Sequence, residues 1–249
     1  MDMKNKKIKL AIFDLTDCEG CEVSVINLKD NLLKVLDNVE ILSWRLAQGK
    51  NKAGPFDIAL IEGSAMTKDE INLLKDLREK SKVIVALGSC ASIGGIPYLA
   101  NDKTERKKLF KKIYGTKYKP LALEVKPLDA YIKVDYYLNG CPISPKELER
   151  IITSFLIGKF PKPIDYPVCL ECKFSENNCL LVNDKTCLGP VTQAGCDAVC
   201  VSQGKYCYGC QGLVKDANIY ALKNRLKDFL TKKEIENHLN LFLKRSLKR

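Results

Sequence analysis

The sequence has a single histidine, His238, and a single tryptophan, Trp44, among 249 residues. No run approaches the roughly 18 consecutive apolar residues that a membrane helix needs, so membrane insertion is not expected. There is no Arg-Arg pair near the start. After the basic stretch to Lys9 come Asp14 and Asp17, where the apolar core of a secretory leader would have to lie. A cytoplasmic location is expected, and disulfides are disfavoured in a reducing cytosol. Internal repeats and low-complexity tracts are missing. Aromatic residues are scarce within the basic stretches, leaving little for bases to stack on. No nucleic-acid partner is expected, despite a formal net charge of +11. What the chain does have is cysteine, twelve in all. Its 46% hydrophobic and 29% charged residues are those of a folded globular protein. The length allows one large domain or two small ones.

Up to about residue 160 the pattern alternates between strand and helix. Lys9–Leu15, Val39–Trp44, Asp57–Ile61, Lys82–Leu87 and Ile132–Tyr137 read as strands. Val23–Leu36 carries apolar residues at 25, 28, 32, 33, 35 and 36, close to a helical period. Thr67-Lys-Asp-Glu70 is a capping box opening a helix to about Lys80, and Ser144-Pro-Lys-Glu147 opens another to about Ile157. Such alternation predicts an α/β fold, a parallel sheet with helices on both faces. Residues 97–131 interrupt it with a Lys/Arg-rich stretch (Lys103, Arg106, Lys107, Lys108, Lys111, Lys112), read as an inserted helix and loop with a solvated charged face. Three prolines in Phe160–Pro167 mark a boundary, dividing the chain into 1–160 and 161–249. Cys169 to Cys210 holds eight cysteines and almost no hydrophobic periodicity. Such a segment needs a covalent or metal framework. Terminal helices follow: Ile219, Leu222, Leu226, Phe229 and Leu230 share one face, and Thr231-Lys-Lys-Glu234 caps a last helix carrying Leu239, Phe242 and Leu243.

Cys18, Cys21, Cys90 and Cys141 each follow a predicted strand, so all four belong at the carboxyl ends of a parallel sheet, where open α/β sheets bind their ligands. Gly20, Gly88, Gly94, Gly95 and Gly140 flank them and let backbone approach a bulky inorganic core. Cys169-x2-Cys172 and Cys207-x2-Cys210 bracket Cys179, Cys187, Cys196 and Cys200, so the twelve divide into three sets of four. Disulfides, zinc and iron–sulfur clusters all use cysteine. Zinc suits the paired C-x2-C units; the 18/21/90/141 set, spread over a sheet crevice, is less zinc-like. Iron–sulfur clusters take sets of four at varied spacing, and Cys141 is followed by Pro142, as in C-P cluster motifs. A [4Fe–4S] core with four thiolates is a −2 unit, so three would lower the formal +11 to about +5.

DCEGC (17–21), FDIALIEGS (56–64), ALGSCASIGG (86–95), NGCPIS (139–144), CLGPVTQAGC (187–196) and CYGC (207–210) resemble the small, electron-transferring subunit of [NiFe]-hydrogenases. The resemblance covers nearly the whole chain. It implies a flavodoxin-like domain (1–160) with a proximal cluster, followed by an irregular, cluster-stabilised iron–sulfur domain (161–249) ending in helices. Residue by residue, it implies Cys18, Cys21, Cys90 and Cys141 for the proximal cluster and Cys169, Cys172, Cys179 and Cys187 for the distal one. Cys196, Cys207 and Cys210 match the medial cluster, and Cys200 supplies a fourth ligand there. Many family members have a His at the first distal position, where this chain has Cys169, and a three-cysteine medial site. The departures imply three [4Fe–4S] clusters with all-Cys ligation. Four thiolates disfavour adding an electron, which suits a low-potential acceptor such as NAD(P), ferredoxin or a deazaflavin. The implied partners are a [NiFe]-hydrogenase large subunit, holding the nickel site, and a flavin/iron–sulfur acceptor subunit. The resemblance is nearest to cytoplasmic NAD(P)-linked or sulfur-reducing types, then the F420- and viologen-reducing ones. A respiratory NADH dehydrogenase subunit shares the first domain but has two adjacent cysteines, absent here. A redox scaffold whose partner lacks nickel is a further alternative.

Glu19 and Glu22 flank the proximal ligands and read as solvated or salt-bridged acids, with proton relay as the functional alternative. Glu62 ends a strand and is a candidate for a subunit interface or relay. His238 lies far in sequence from any cysteine and reads as a surface or interface residue. Trp44 reads as core or interface packing.

Overall fold

The computed structural model describes residues 7–28, 37–117 and 124–248. Five strands, β1 (Ile8–Asp14), β2 (Val39–Trp44), β3 (Phe56–Glu62), β4 (Ser81–Leu87) and β5 (Tyr136–Leu138), form one sheet in the order β2-β1-β3-β4-β5. Every pairing is parallel. This is the doubly wound order in which the crevice at the strand carboxyl ends is the ligand site.

The strand sequences are nearly continuous apolar runs because both faces are covered. Leu10, Ile12, Ile58 and Leu60 point to one face, against Val25 of α1 (Gly20–Ile26) and Leu148, Ile151 and Ile152 of the helix at Pro145–Leu156. Ala11, Ala59, Ile61 and Ile84 point to the other, against Leu74 and Leu77 of α2 (Lys68–Lys80). Fully burying one such Leu or Ile stabilises by about 1.5–3 kcal/mol. Thr67 and Glu70 make both halves of the expected capping box. The apolar positions 32, 33, 35 and 36 of the expected first helix lie outside the described residues.

Three expectations change in detail. The last strand is shorter than Ile132–Tyr137 and begins only at Tyr136. Ile132 and Val134 turn onto the second-face core. The Asp135 carboxylate accepts the Ile84 N–H at 2.9 Å and pairs with Arg78 at 2.5 Å, so the ladder starts one residue later. Ser144 makes only half a capping box: its hydroxyl accepts the Glu147 N–H at 3.4 Å, while the Glu147 carboxylate goes to Arg150. The cysteine-rich segment has some core of its own, built from Val168, Cys187, Ala198, Val201 and Cys207.

The basic insertion is a helix, α4 (Lys103–Tyr114), after the short α3 (Gly88–Ile93). Asp102 caps α4, and none of its residues is buried. The helix at Pro145–Leu156 is α5. Beyond it come α6 (Val168–Phe174), α7 (Val199–Ser202), α8 (Ile219–Leu226) and α9 (Lys232–Leu243). Leu222, Leu226, Ile235, Leu239 and Leu243 pack with Leu188 and Val191 of the cysteine-rich segment, and Thr231 and Glu234 complete the capping box of α9. No helix among the described residues is long and apolar enough to cross a membrane.

Candidate metal centres

None of the twelve cysteines is in a disulfide. Cys18 and Cys21 stand at the start of α1, just past β1, and Cys90 lies in α3, just past β4. Cys141 follows β5, so the crevice at the strand ends gathers all four. Burial pushes the Cys90 thiol up to about 12, with Cys141 and Cys18 next in effect. Burial also raises Cys141, again with Cys18 beside it, and raises Cys21, where Glu62 is the next cause and Cys141 a smaller one.

The wall around these sulfurs is bare backbone. A Cβ on Gly20 would stand 3.3 Å from Cys18 Sγ, one on Gly95 3.1 Å from Cys90 Sγ, and one on Gly88 only 2.4 Å from Cys21 Sγ. The φ of +83° at Gly88 is left-handed as well.

Behind the sulfurs lie acids. Glu62, at the end of β3, accepts the Cys21 N–H at 3.0 Å and the Glu22 N–H at 2.8 Å, closing the start of α1. With both oxygens turned inward and the residue 3% exposed, Glu62 is not at an exposed interface. Glu22 also departs from the solvated reading: it is 0% exposed. Its Oε2 accepts the Trp44 indole N–H at 2.8 Å, and its Oε1 has no hydrogen-bond partner among the described residues. Burial pushes its carboxyl up to about 7, against the lowering effect of Trp44. Asp17 is raised to about 6 by burial and then by Glu62. Glu19 is half-buried and pairs with Arg45 at 3.3 Å, as a salt-bridged acid.

A second group surrounds α6. Burial pushes Cys169 up to about 11, followed by Cys187, Cys172 and Cys179. Cys187 is raised by burial, with Cys172 and Cys179 among its smaller causes. Gly189 faces two of these sulfurs, since a Cβ there would stand 3.4 Å from both Cys169 and Cys187 Sγ. Its N–H donates to Cys187 Sγ at 3.4 Å.

The remaining four cysteines are Cys196, Cys200, Cys207 and Cys210. Burial pushes Cys210 up to about 12, with Cys196 and Cys200 among the smaller causes. Burial raises Cys196 to about 11, followed by Glu171, with Cys200 a lesser neighbour. Cys207 is raised by burial and felt by both Cys187 and Cys210. Asp197 (φ 52°) and Ala198 (φ 49°) adopt the left-handed region next to Cys196, a strain of about 1–2 kcal/mol per residue.

These groups touch one another. Cys141 is among the groups acting on the Cys210 thiol. Ser89 Oγ donates to the Cys210 carbonyl at 2.6 Å, and Asn139 Nδ2 to the Gln211 carbonyl at 2.7 Å. On the far side, the Leu188 N–H donates to the Cys207 carbonyl at 3.0 Å. The segment from Cys207 to Cys210 thus lies between the strand-end crevice, through Ser89, and the segment at Cys187 and Leu188. His238 is half-buried, with its ring edge-on to Tyr206 at 5.2 Å.

The donor set fits thiophilic metal: soft thiols, with glycine backbone against the sulfurs of Cys18, Cys21, Cys90, Cys169 and Cys187. No group of three or more His, Cys, Asp or Glu among the described residues is arranged to hold a single metal ion. Cysteine binds such metal as the thiolate, so metal binding would release thiol protons. Sequence reasoning missed Ser89, Asn139 and Glu171, whose contacts join segments far apart in the chain and leave no periodic signal.

Residues 18–155 match the family model described as NADH ubiquinone oxidoreductase, 20 Kd subunit. The chain is similar to sulfhydrogenase 2 subunit delta of Pyrococcus furiosus, 36% identical over 237 residues, covering 94% of this chain and 99% of that one. It is also similar to a subunit of the F420-non-reducing hydrogenase vhu of Methanocaldococcus jannaschii, 35% identical and covering 82% of each chain. Among solved structures it resembles a chain of an NAD+-reducing [NiFe]-hydrogenase in the H2-reduced state, with TM-score 0.57 and 29% identity, over 63% of this chain and 95% of that one. A chain of the Ni-Fe-Se hydrogenase of Desulfomicrobium baculatum shares the fold, with TM-score 0.54 and 18% identity, over 91% of this chain and 100% of that one. The family match ends before the eight later cysteines, whereas the Pyrococcus relative aligns along nearly the whole chain.

Proposed function

From the premise that this chain belongs to the NADH ubiquinone oxidoreductase 20 kDa subunit family, as a hydrogenase subunit, we propose that it carries electrons between a nickel–iron partner subunit and an acceptor subunit. In this reading Cys18, Cys21, Cys90 and Cys141 hold a proximal [4Fe–4S] cluster within residues 1–160. Cys196, Cys200, Cys207 and Cys210 hold a medial one and Cys169, Cys172, Cys179 and Cys187 a distal one, both within 161–249. The bound clusters supply one-electron redox chemistry at low potential. The protein's part is to hold them in a row, shield them and set their charge. Cytoplasmic location belongs to the same proposal.

The observation that supports this reading is the contact between the cysteine-bearing segments, through Ser89 Oγ to the Cys210 carbonyl at 2.6 Å and the Leu188 N–H to the Cys207 carbonyl at 3.0 Å. In this reading the order does not follow the sequence: the last four cysteines in the chain, 196 to 210, form the middle group. Cys18 and Cys141 are the exposed thiols. Val23 and Ile26 of α1, close in sequence to Cys18, are exposed apolar residues, which favours the partner's side being there.

The test is metal content of the chain in its native complex. Twelve iron and twelve sulfide per chain are expected from twelve cysteines, with nickel in the partner. Zinc in stoichiometric amount with little iron would refute the cluster reading, and a complex without nickel would refute the hydrogenase partner. Cys141→Ala should abolish hydrogen-dependent dye reduction. Retained activity with the first cluster's signal missing would move the electron transfer elsewhere.

A further inference from the structure

Glu171 lies in α6 between Cys169 and Cys172, yet its carboxylate reaches a different cysteine group. Its Oε1 accepts the Gly195 N–H at 2.8 Å. Its Oε2 accepts the Cys196 and Ala198 N–H groups, each at 3.3 Å, and lies 3.9 Å from Cys196 Sγ. Three N–H groups of one turn thus converge on one carboxylate. Successive amides turned inward by left-handed residues form a nest for an anion, and Asp197 and Ala198 supply that conformation. Lys146 Nζ holds the same turn from outside, 2.9 Å from Asp197 Oδ2.

We infer that Glu171 is a positioning residue that sets the conformation of the 195–198 turn, aims Cys196, and keeps the redox centre at Cys196, Cys200, Cys207 and Cys210 at a lower potential than a neutral side chain would allow. This rests on the reading of those four cysteines as ligands of one cluster. Two physical effects act in the same direction. A fixed negative charge near the cluster disfavours adding an electron, and amide N–H groups committed to Glu171 are not available to the cluster sulfurs, whose hydrogen bonds raise the potential. Because the helix that bears Glu171 also bears Cys169 and Cys172, the same side chain holds the second and third groups in fixed relation.

The experiment uses the chain in its native complex, with Glu171→Gln and Glu171→Asp compared with wild type. Each is assayed for iron content and titrated with reductant under electron paramagnetic resonance. Glu171→Gln is expected to retain its iron and to raise the reduced-to-oxidised ratio of the medial centre about tenfold at a fixed ambient potential, an upward shift of about 59 mV for a one-electron couple. Glu171→Asp keeps the charge and should stay within a few-fold of wild type. A medial signal that titrates unchanged in Glu171→Gln overturns the inference and leaves the cluster reading standing. Equal loss of iron in both variants also overturns it, by reducing Glu171 to a fold contact. A wild type with no iron–sulfur signal beyond the proximal and distal ones overturns the cluster reading itself, and the inference with it.

Discussion

Replacing Gly88 by alanine separates two costs that the first cysteine group imposes on its backbone. Gly88 has φ +83°, and a Cβ built there stands 2.4 Å from Cys21 Sγ and 3.5 Å from the Gly140 carbonyl oxygen. The left-handed conformation alone costs about 1–2 kcal/mol for an alanine. Relieving the sulfur overlap requires Cys21 or α3 to move, at about 1–3 kcal/mol by analogy with overpacked cores. Together, about 2–5 kcal/mol disfavours the present arrangement, roughly 30- to 4,000-fold at 1.4 kcal/mol per factor of ten. Gly158 is the control: its φ is +72° and nothing lies within 4 Å of a built Cβ. Gly158→Ala should therefore show strain alone, lowering Tm by about 2–8 °C for a chain of this size. The assays are iron per chain and thermal unfolding by circular dichroism. Gly88→Ala should lose about four iron of an expected twelve and unfold at a lower temperature than the control. Full iron content with a Tm shift equal to that of Gly158→Ala would refute the claim that Gly88 is required by the sulfur beside it.

Three further outcomes are expected. Cys200→Ala should create the paramagnetic signal of a three-iron cluster in the oxidised complex and raise the medial potential, since a thiolate is lost; a three-iron signal already present in intact wild type and unchanged by the substitution would show that Cys200 is not a ligand. Trp44→Phe removes the indole donor from Glu22, leaving a buried carboxyl without its partner, and should destabilise by about 1–3 kcal/mol; a denaturation midpoint equal to wild type would contradict the buried hydrogen bond. Burial works against the Asp135 carboxylate, but the Ile84 N–H and the Arg78 guanidinium outweigh it and hold it below the usual carboxylate range. Because its folded pKa is depressed, its stabilisation is present above the unfolded value near 3.8 and is lost as pH falls through the folded one. Asp135→Asn should therefore be less stable than wild type at pH 7, by about 1–3 kcal/mol, with the gap closing in acid; a gap that persists unchanged well below pH 3 would contradict it.

Local patterns in the sequence determine a great deal of this fold. Apolar runs bounded by glycine and polar residues place four strands to within a residue or so, and Thr67-x-x-Glu70 and Thr231-x-x-Glu234 mark helix starts that the structure repeats. Both kinds of signal act over one to four residues, where side-chain period and orphan backbone groups dictate the answer. The convergence of Cys18, Cys21, Cys90 and Cys141 is legible for a related reason: parallel strands align their carboxyl ends, so residues 69 and 51 positions apart meet once each is placed after a strand. The eight later cysteines have no such frame. Their division rests on family resemblance, because a segment without hydrophobic period carries no local clue to which thiols become neighbours. Only the tertiary structure decides that Ser89 bonds the Cys210 carbonyl, that Glu22 is buried under Trp44, and that Glu171 leaves its own cysteine pair to bind the turn at Cys196. The physical reason is the same in each case. A polar group turned in from solvent is held by whichever partners the folded chain brings to it, and for Glu22 and Glu171 the donors come from residues 22 to 27 positions away. No pattern of local period or capping reaches that far.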